Sequence, residues 1–330
     1  MKKIKLGIIG CGIAAWELHL PALQKLNDRF EITALCNHTE PKARELSDLL
    51  GGVPYELEYK KLLRNEDVEA VDIALPIHLN YQVTKDSLEA GKHVIVEKPI
   101  AANLAEAKRM LQFPEKYESV MMVAENFRYR KVFKRLRQII ESGRIGNVYA
   151  AAWDIYHYVS DDSKYAQTRW RRHHVYPGGF MTDGGVHNIA ALRDLFGEVT
   201  ELNAFTKSIN PGIGYPDTMG LQFETTRGVN VTFNLFYSVD GFWENRFLIF
   251  GEKGSIVVLD NRIIIKSNNG DNIEENADDD GGYIAEFSEF YDAIVEGKNV
   301  ISTFAEAYKD LQVILGALRS AEMKKRVTFD

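Results

Sequence analysis

The segment Lys5-Leu-Gly-Ile-Ile-Gly-Cys-Gly-Ile-Ala-Ala15 sets an apolar strand directly against a glycine-rich turn, and no other feature restricts the fold as tightly. Ile4 to Ile9 has the continuous apolar run of a buried parallel strand. Gly10 and Gly12 form the turn, and Ala15 takes the third small position of a G-x-G-x-x-G/A pattern. The first glycine lets the chain reverse sharply, the second admits backbone N–H groups to a pyrophosphate, and the small third residue lets a helix pack on the strand. A second apolar strand, Glu31–Cys36, follows at the separation of a βαβ unit. The alternative is a plain small-residue turn with no nucleotide. The placement of the turn within that unit favours dinucleotide binding.

From Lys3 to about Ala124 the pattern alternates. Strands are expected at 4–9, 31–36, 71–75, 93–97 and 119–124, with helices at 14–26, 41–50, 80–90 and 103–111 and a short one around Leu62. That alternation predicts an α/β fold with a doubly wound parallel sheet. After Glu125 the grammar changes. A basic amphipathic helix over 130–142 leads to a strand at 147–156, a Tyr/Arg/His-rich loop over 158–179, and a helix over 184–195. Alternating runs between 202 and 266, joined by turns such as Thr226-Arg-Gly228, predict a mostly antiparallel sheet. Two amphipathic helices, 283–296 and 303–324, close the chain, and the acidic stretch Asp271–Asp280 is expected as a solvated loop. The chain is therefore divided into residues 1–125 and 126–330. Its length of 330 residues is enough for two cores.

The net charge of −7 argues against a nucleic-acid or membrane-surface partner, which needs a basic face. The two cysteines, Cys11 and Cys36, cannot form a disulfide framework and suit a reducing, cytoplasmic location. No apolar run approaches the ~18 residues of a membrane span, and Met1-Lys-Lys leads into a short strand rather than a signal sequence.

Three clusters carry chemistry. Glu97-Lys98-Pro99 follows the fifth strand, where open parallel sheets bind ligands, so Lys98 is placed to hold a substrate oxygen; a surface lysine at a strand end is the alternative. Asp183-Gly-Gly-Val-His187 sets a carboxylate and an imidazole four residues apart on one helix face, a pairing suited to acid–base work. The alternative there is an N-capping Asp183 with a structural His187. Two ligand-type residues without a third make a metal site unsupported, and none is expected. Asn126-Phe-Arg128 lies at the crossing to the second region, with Arg128 either facing a ligand or opening the basic face that follows.

The glycine turn, Glu97-Lys98-Pro99, Asn126-x-Arg128, Trp170-Arg171, Gly178-Gly179 and Asp183-x-x-x-His187, in this order, resemble the glucose–fructose oxidoreductase, inositol dehydrogenase and rhizopine-catabolism (Gfo/Idh/MocA) family along essentially the whole chain. The resemblance implies an N-terminal Rossmann domain and a C-terminal α/β domain whose large open sheet forms homo-oligomer contacts. It also implies hydride transfer between a nicotinamide cofactor and a sugar, polyol or related carbonyl compound. Lys98, Asp183 and His187 would be catalytic. The implied cofactor-binding set is Gly10, Cys11, Gly12, Ile13, Ala14, Asn37, His38, Thr39, Lys42, Leu75, Pro76, Asn80, Glu97, Lys98, Asn126, Trp170 and Arg171. Arg128, Tyr156 and His157 would join Lys98, Asp183 and His187 around the substrate. The sequence departs from the family pattern at Asn80 (commonly His), at Phe180 (the third Gly of a run) and at Ala190 (commonly acidic).

The second strand ends Cys36-Asn37-His38-Thr39 without the Asp or Glu that accepts from the ribose 2′-OH of NAD, so NADP is the expected cofactor and NAD the alternative. Lys42 and Arg44 supply positive charge nearby, against Glu40. A non-catalytic, NADP-binding regulator or scaffold is the rival to the enzyme reading, and the Lys98, Asp183 and His187 set argues against it.

Overall fold

The computed structural model describes residues 2–267 and 272–329 and resolves into two compact units, one of 1–129 with Asp280–Lys309, the other of Arg130–Asp279 with Asp310 onward. The first carries six strands: β1 (Ile4–Ile9), β2 (Phe30–Cys36), β3 (Tyr55–Glu56), β4 (Ala70–Ile73), β5 (His93–Glu97) and β6 (Met121–Ala124). They pair in the order β3-β2-β1-β4-β5-β6, all parallel. This is a Rossmann sheet. The strand order reverses beside β1, and in such sheets a ligand binds outside the carboxyl ends at that point. β4 and β6 are buried at every residue because helices cover both faces.

The helix after the glycine turn begins as a π segment, Ala14–His19, and continues as Leu20–Lys25. Asn103 caps Leu104–Met110, its Oδ1 accepting from the Glu106 N–H at 2.9 Å. The helix Tyr283–Glu296 belongs to this first unit although it lies far along the chain. Its Phe287, Phe290 and Tyr291 close on Phe30, with ring centroids 5.7–6.4 Å apart.

The second unit is built on nine strands: β7 (Val148–Tyr156), β8 (Val199–Lys207), β9 (Thr218–Thr225), β10 (Asn230–Phe236), β11 (Glu244–Gly251), β12 (Gly254–Leu259), β13 (Arg262–Ser267), β14 (Asn272–Asn276) and β15 (Val327–Thr328). Their order is β14-β13-β12-β11-β7-β10-β9-β8-β15, antiparallel except for β7 with β10. Strand alternation sorts β10: Val231, Phe233 and Leu235 are buried, whereas Thr232, Asn234 and Phe236 are half-exposed and Asn230 is exposed. Trp153 marks the helix-covered face of β7, packing on Phe133, Phe233 and Phe247.

Part of the acidic stretch is not a loop. Residues 272–276 form edge strand β14, where Arg135 pairs with Glu275 and Arg262 with Glu274, so neighbouring cations offset the charge that suggested a solvated loop. Asp271 lies outside the described residues. Among the described residues no helix is long and apolar enough to cross a membrane.

Candidate active site

In the first unit the glycine turn has the geometry its pattern requires. Gly10 has φ +109°, and a Cβ there would run into the Ala74 carbonyl oxygen at the end of β4. A Cβ on Gly12 would meet nothing within 4 Å, which leaves open the space that a pyrophosphate would take. The turn is pinned from the side by Asn37, whose Oδ1 accepts from the Cys11 N–H at 3.2 Å while its Nδ2 donates to the Thr39 carbonyl at 3.0 Å. The Asn37 amide is thus engaged within the protein. Cys11 and Cys36 are free but buried, and burial pushes each thiol up to about 12, so both stay protonated packing groups. Ile13, Ala14, Thr39, Leu75 and Pro76 are half-buried around this end of the sheet, and His38 and Lys42 are exposed.

β5 delivers Glu97 and Lys98. The Lys98–Pro99 peptide is cis, and Asn80 is wholly buried beneath it. Its Nδ2 donates to the carbonyls of Glu97, at 2.7 Å, and Pro99, at 2.9 Å, the residues on either side of Lys98. Asn80, expected among the cofactor contacts, clamps this turn. Asn126 is also buried and donates to the Gly281 carbonyl at 2.7 Å. Arg128 is buried too, 3.8 Å from the Glu306 carboxylate.

In the second unit the helix carrying Asp183 and His187 is Gly179–Phe196, and it starts five residues earlier than the sequence pattern suggests. Gly178, at φ +84°, takes the position before the first turn, so Asp183 lies inside the helix rather than at its cap. The Gly184-Gly185 pair that looked like a helix start is there for packing. A Cβ on Gly184 would fall on the Tyr237 hydroxyl, and one on Gly185 would press on Ile314 at 3.0 Å.

Asp183 is 7% exposed and accepts from Arg171 Nε at 2.7 Å. Arg171 is fixed in turn by Thr168 Oγ1 at 3.2 Å and by stacking 4.0 Å over the Trp170 ring. Burial, reinforced by the Asp183 charge, holds the hydroxyls of Tyr176 and Tyr237 well above the usual tyrosine range; Arg171 partly opposes this at Tyr176. Both remain O–H donors at neutral pH. The His157 ring packs against Tyr237, centroids 4.9 Å apart, and burial lowers its pKa, which favours the neutral imidazole. His187 is half-buried, one helical turn beyond Asp183. This unit therefore gathers a carboxylate, its cationic anchor and neutral hydroxyls in one place.

Tyr156 does not join them. Strand alternation turns it to the other face of β7, where its hydroxyl donates to Asp154 at 2.9 Å and its ring packs on Phe236. Tyr176 was missed because an aperiodic loop gives no signal for which of its tyrosines turns inward. Tyr237 falls within the alternating runs that predict the second sheet, where nothing in the sequence marks it as a site residue.

Residues 4–125 match the model of the oxidoreductase family with an NAD-binding Rossmann fold, and residues 133–257 match the GFO/IDH/MocA C-terminal domain. The chain belongs to the Gfo/Idh/MocA family. It is an NAD(P)-dependent oxidoreductase by that membership. An uncharacterized protein of Saccharomyces cerevisiae is 30% identical over 97% of this chain and 93% of its own length. An oxidoreductase of Thermotoga maritima shares 37% identity and superposes with a TM-score of 0.94, covering 99% of this chain and 98% of that one. The dTDP-3,4-didehydro-2,6-dideoxy-α-D-glucose 3-reductase of Streptomyces violaceoruber is 28% identical over 78% of this chain and 73% of its own length.

Proposed function

We propose that this Gfo/Idh/MocA member interconverts a secondary hydroxyl and a carbonyl on a sugar or polyol, with NADP as its preferred cofactor. The observation that carries the reading is the buried Asp183, clamped by Arg171 and surrounded by the neutral hydroxyls of Tyr176 and Tyr237, one helical turn from His187. Such a set suits a neutral, polyhydroxylated ligand. A substrate hydroxyl donates to the carboxylate, and the tyrosines present donors to its other oxygens. The Streptomyces relative is named for a sugar nucleotide, which fits the same chemistry.

The open cradle at Gly12 and the reversed turn at Gly10 fit a dinucleotide. When bound, the nicotinamide supplies hydride acceptance or donation, and this chain's residues handle the proton and the geometry. His187 accepts the hydroxyl proton on oxidation and returns it on reduction, as an imidazole nitrogen can do in either direction. Lys98, on the turn clamped by Asn80, donates to the reacting oxygen and stabilises the negative charge that develops there. Asp183 orients a neighbouring hydroxyl, and His157 and Trp170 shape the remaining surface.

The preference for NADP is supported by the end of β2. No carboxylate follows Cys36 directly, Asn37 is turned inward, and the nearby Glu40 is paired with Arg44 at 2.5 Å, leaving Lys42 exposed. The half-exposed face of the second sheet, with Phe236, Tyr156 and the exposed Phe205, is the surface proposed for homo-oligomer contacts. Two buried free thiols suit a reducing cytoplasm.

The test is a panel of sugars and keto-sugars assayed for reduction of NADP or oxidation of NADPH, with affinities for NADPH and NADH measured on the same preparation. Turnover of at least one sugar, and NADPH bound at least ~10-fold more tightly, about 1.4 kcal/mol, is expected. Tight cofactor binding with no turnover across the panel would favour the regulator instead. Preferential binding of NADH would overturn the cofactor assignment.

A further inference from the structure

Behind the Glu97-Lys98 turn, within the first unit, lies a buried ionisable cluster that no step above uses. His19, the last residue of the π segment, is wholly buried. Its Nδ1 lies 2.8 Å from Asp72 Oδ2 on β4 and its Nε2 3.1 Å from Glu97 Oε1 at the end of β5. The rings of Tyr283 and Phe287 pack against it from the helix Tyr283–Glu296. Glu286, on the same helix, is also wholly buried, and neither of its carboxyl oxygens has a hydrogen-bond partner. Glu125, at the end of β6, completes the carboxylates that face Glu286. Among the described residues no group of three or more such side chains is arranged to hold a metal.

The geometry limits the proton count. Both imidazole nitrogens face carboxylate oxygens, so both must donate if Asp72 and Glu97 are ionised. Burial opposes a charged ring, yet the two carboxylates outweigh it and raise the His19 pKa well above its usual value. Glu286 goes the other way. Burial, aided by Glu97, Glu125 and Asp72 and opposed by His19, raises its pKa, and a carboxyl without a donor is held as the neutral acid.

We propose that His19 is a positioning residue for Lys98: held between Asp72 and Glu97, its imidazolium fixes the carboxylate that precedes Lys98 and offsets that carboxylate's charge. Asn80 holds the backbone on either side of Lys98, and His19 holds the side chain before it. His19 also ends the segment that starts at the glycine turn, so the dinucleotide-binding element and the Lys98 turn share one buried tie. The inference deepens the reading of Lys98 as the group at the reacting oxygen and rests on that reading.

The experiment follows Lys98 directly and needs no substrate. Trace acetylation of the full-length protein with acetic anhydride, as a function of pH and read by mass spectrometry, gives the apparent pKa of each lysine. His19→Gln removes the positive charge that lies 3.1 Å from Glu97, so the Lys98 profile should move upward by at least ~0.5 unit, about threefold slower acetylation at a given pH, with other lysines unchanged. Glu286→Gln, isosteric with the neutral acid, should leave it in place. A nitrogen-15 NMR titration of the wild-type imidazoles, which needs no variant to fold, should show one histidine doubly protonated at pH 8, lost in Asp72→Asn. An unmoved Lys98 profile in folded His19→Gln, or a singly protonated His19 at pH 7, overturns the inference. The role of Lys98 itself is judged separately, by turnover of Lys98→Ala.

Discussion

Gly184 offers a sharp test of how the second unit builds its site. A methyl at this position would meet the Tyr237 hydroxyl oxygen well inside contact distance, with Cζ of the same ring at 3.3 Å. The ring cannot easily swing away, because Tyr237 is buried between His157, at 4.9 Å, and Phe180, at 6.2 Å. Replacing glycine by alanine inside a helix gains about 1 kcal/mol of helix propensity. Overpacking costs about 1–3 kcal/mol. Gly184→Ala should therefore lose up to about 2 kcal/mol net, or roughly 4–8 °C in Tm for a unit of this size. Tyr237→Phe removes the colliding oxygen and leaves a contact that the site can absorb. In that background the alanine should be neutral or stabilising, so the two substitutions should couple by about 1–3 kcal/mol in a double-mutant cycle read by thermal melts. Additivity within about 0.5 kcal/mol would refute the packing explanation for the Gly-Gly pair. NADPH affinity serves as the control and should be unchanged, since the glycine turn belongs to the other unit.

The two glycines of the nucleotide turn should separate stability from binding. Gly10→Ala, with a positive φ and a carbonyl in the way, should lower Tm as well as cofactor affinity. Gly12→Ala should leave stability within about 0.5 kcal/mol, as for surface positions, while weakening NADPH binding; equal loss of stability in both would contradict the open cradle. Glu286 should make the fold pH-sensitive. The folded state keeps a proton that the unfolded chain releases above about pH 4.3, so stability falls as pH rises from there toward the raised native pKa. The slope is at most about 1.4 kcal/mol per pH unit. Glu286→Gln cannot titrate, so its Tm advantage over wild type should grow between pH 5 and 8; parallel curves would show that Glu286 is ionised in the native state.

Much of the first sheet was legible because its strands are short apolar runs buried on both faces, and β1 and β5 begin and end where the pattern places them. What the sequence cannot display is contact between distant segments. The helix Tyr283–Glu296 has the same amphipathic look as its neighbours, and its place in the first unit is set by contacts with distant residues such as Phe30 and His19. The start of the Asp183 helix was misread for a similar reason. Glycines 184 and 185 weaken helix propensity locally, and the ring and aliphatic groups that require them come from β10's end and from the C-terminal helix. Asn80 and Asn37 were read as polar groups available to a ligand. Their engagement by carbonyls and an amide N–H appears only in three dimensions. The face that Tyr156 takes was not legible because adjacent strand residues share composition while pointing to opposite faces.

Side-by-side kinetics of Lys98→Ala and His187→Ala, with a sugar found active in the panel, test the proposed chemistry most directly. Each variant should lose at least ~10²-fold in kcat, the usual scale for a positioned acid or base, and should bind NADPH with the wild-type Kd. Turnover near wild type in both, at saturating cofactor and substrate, would contradict the proposed chemistry.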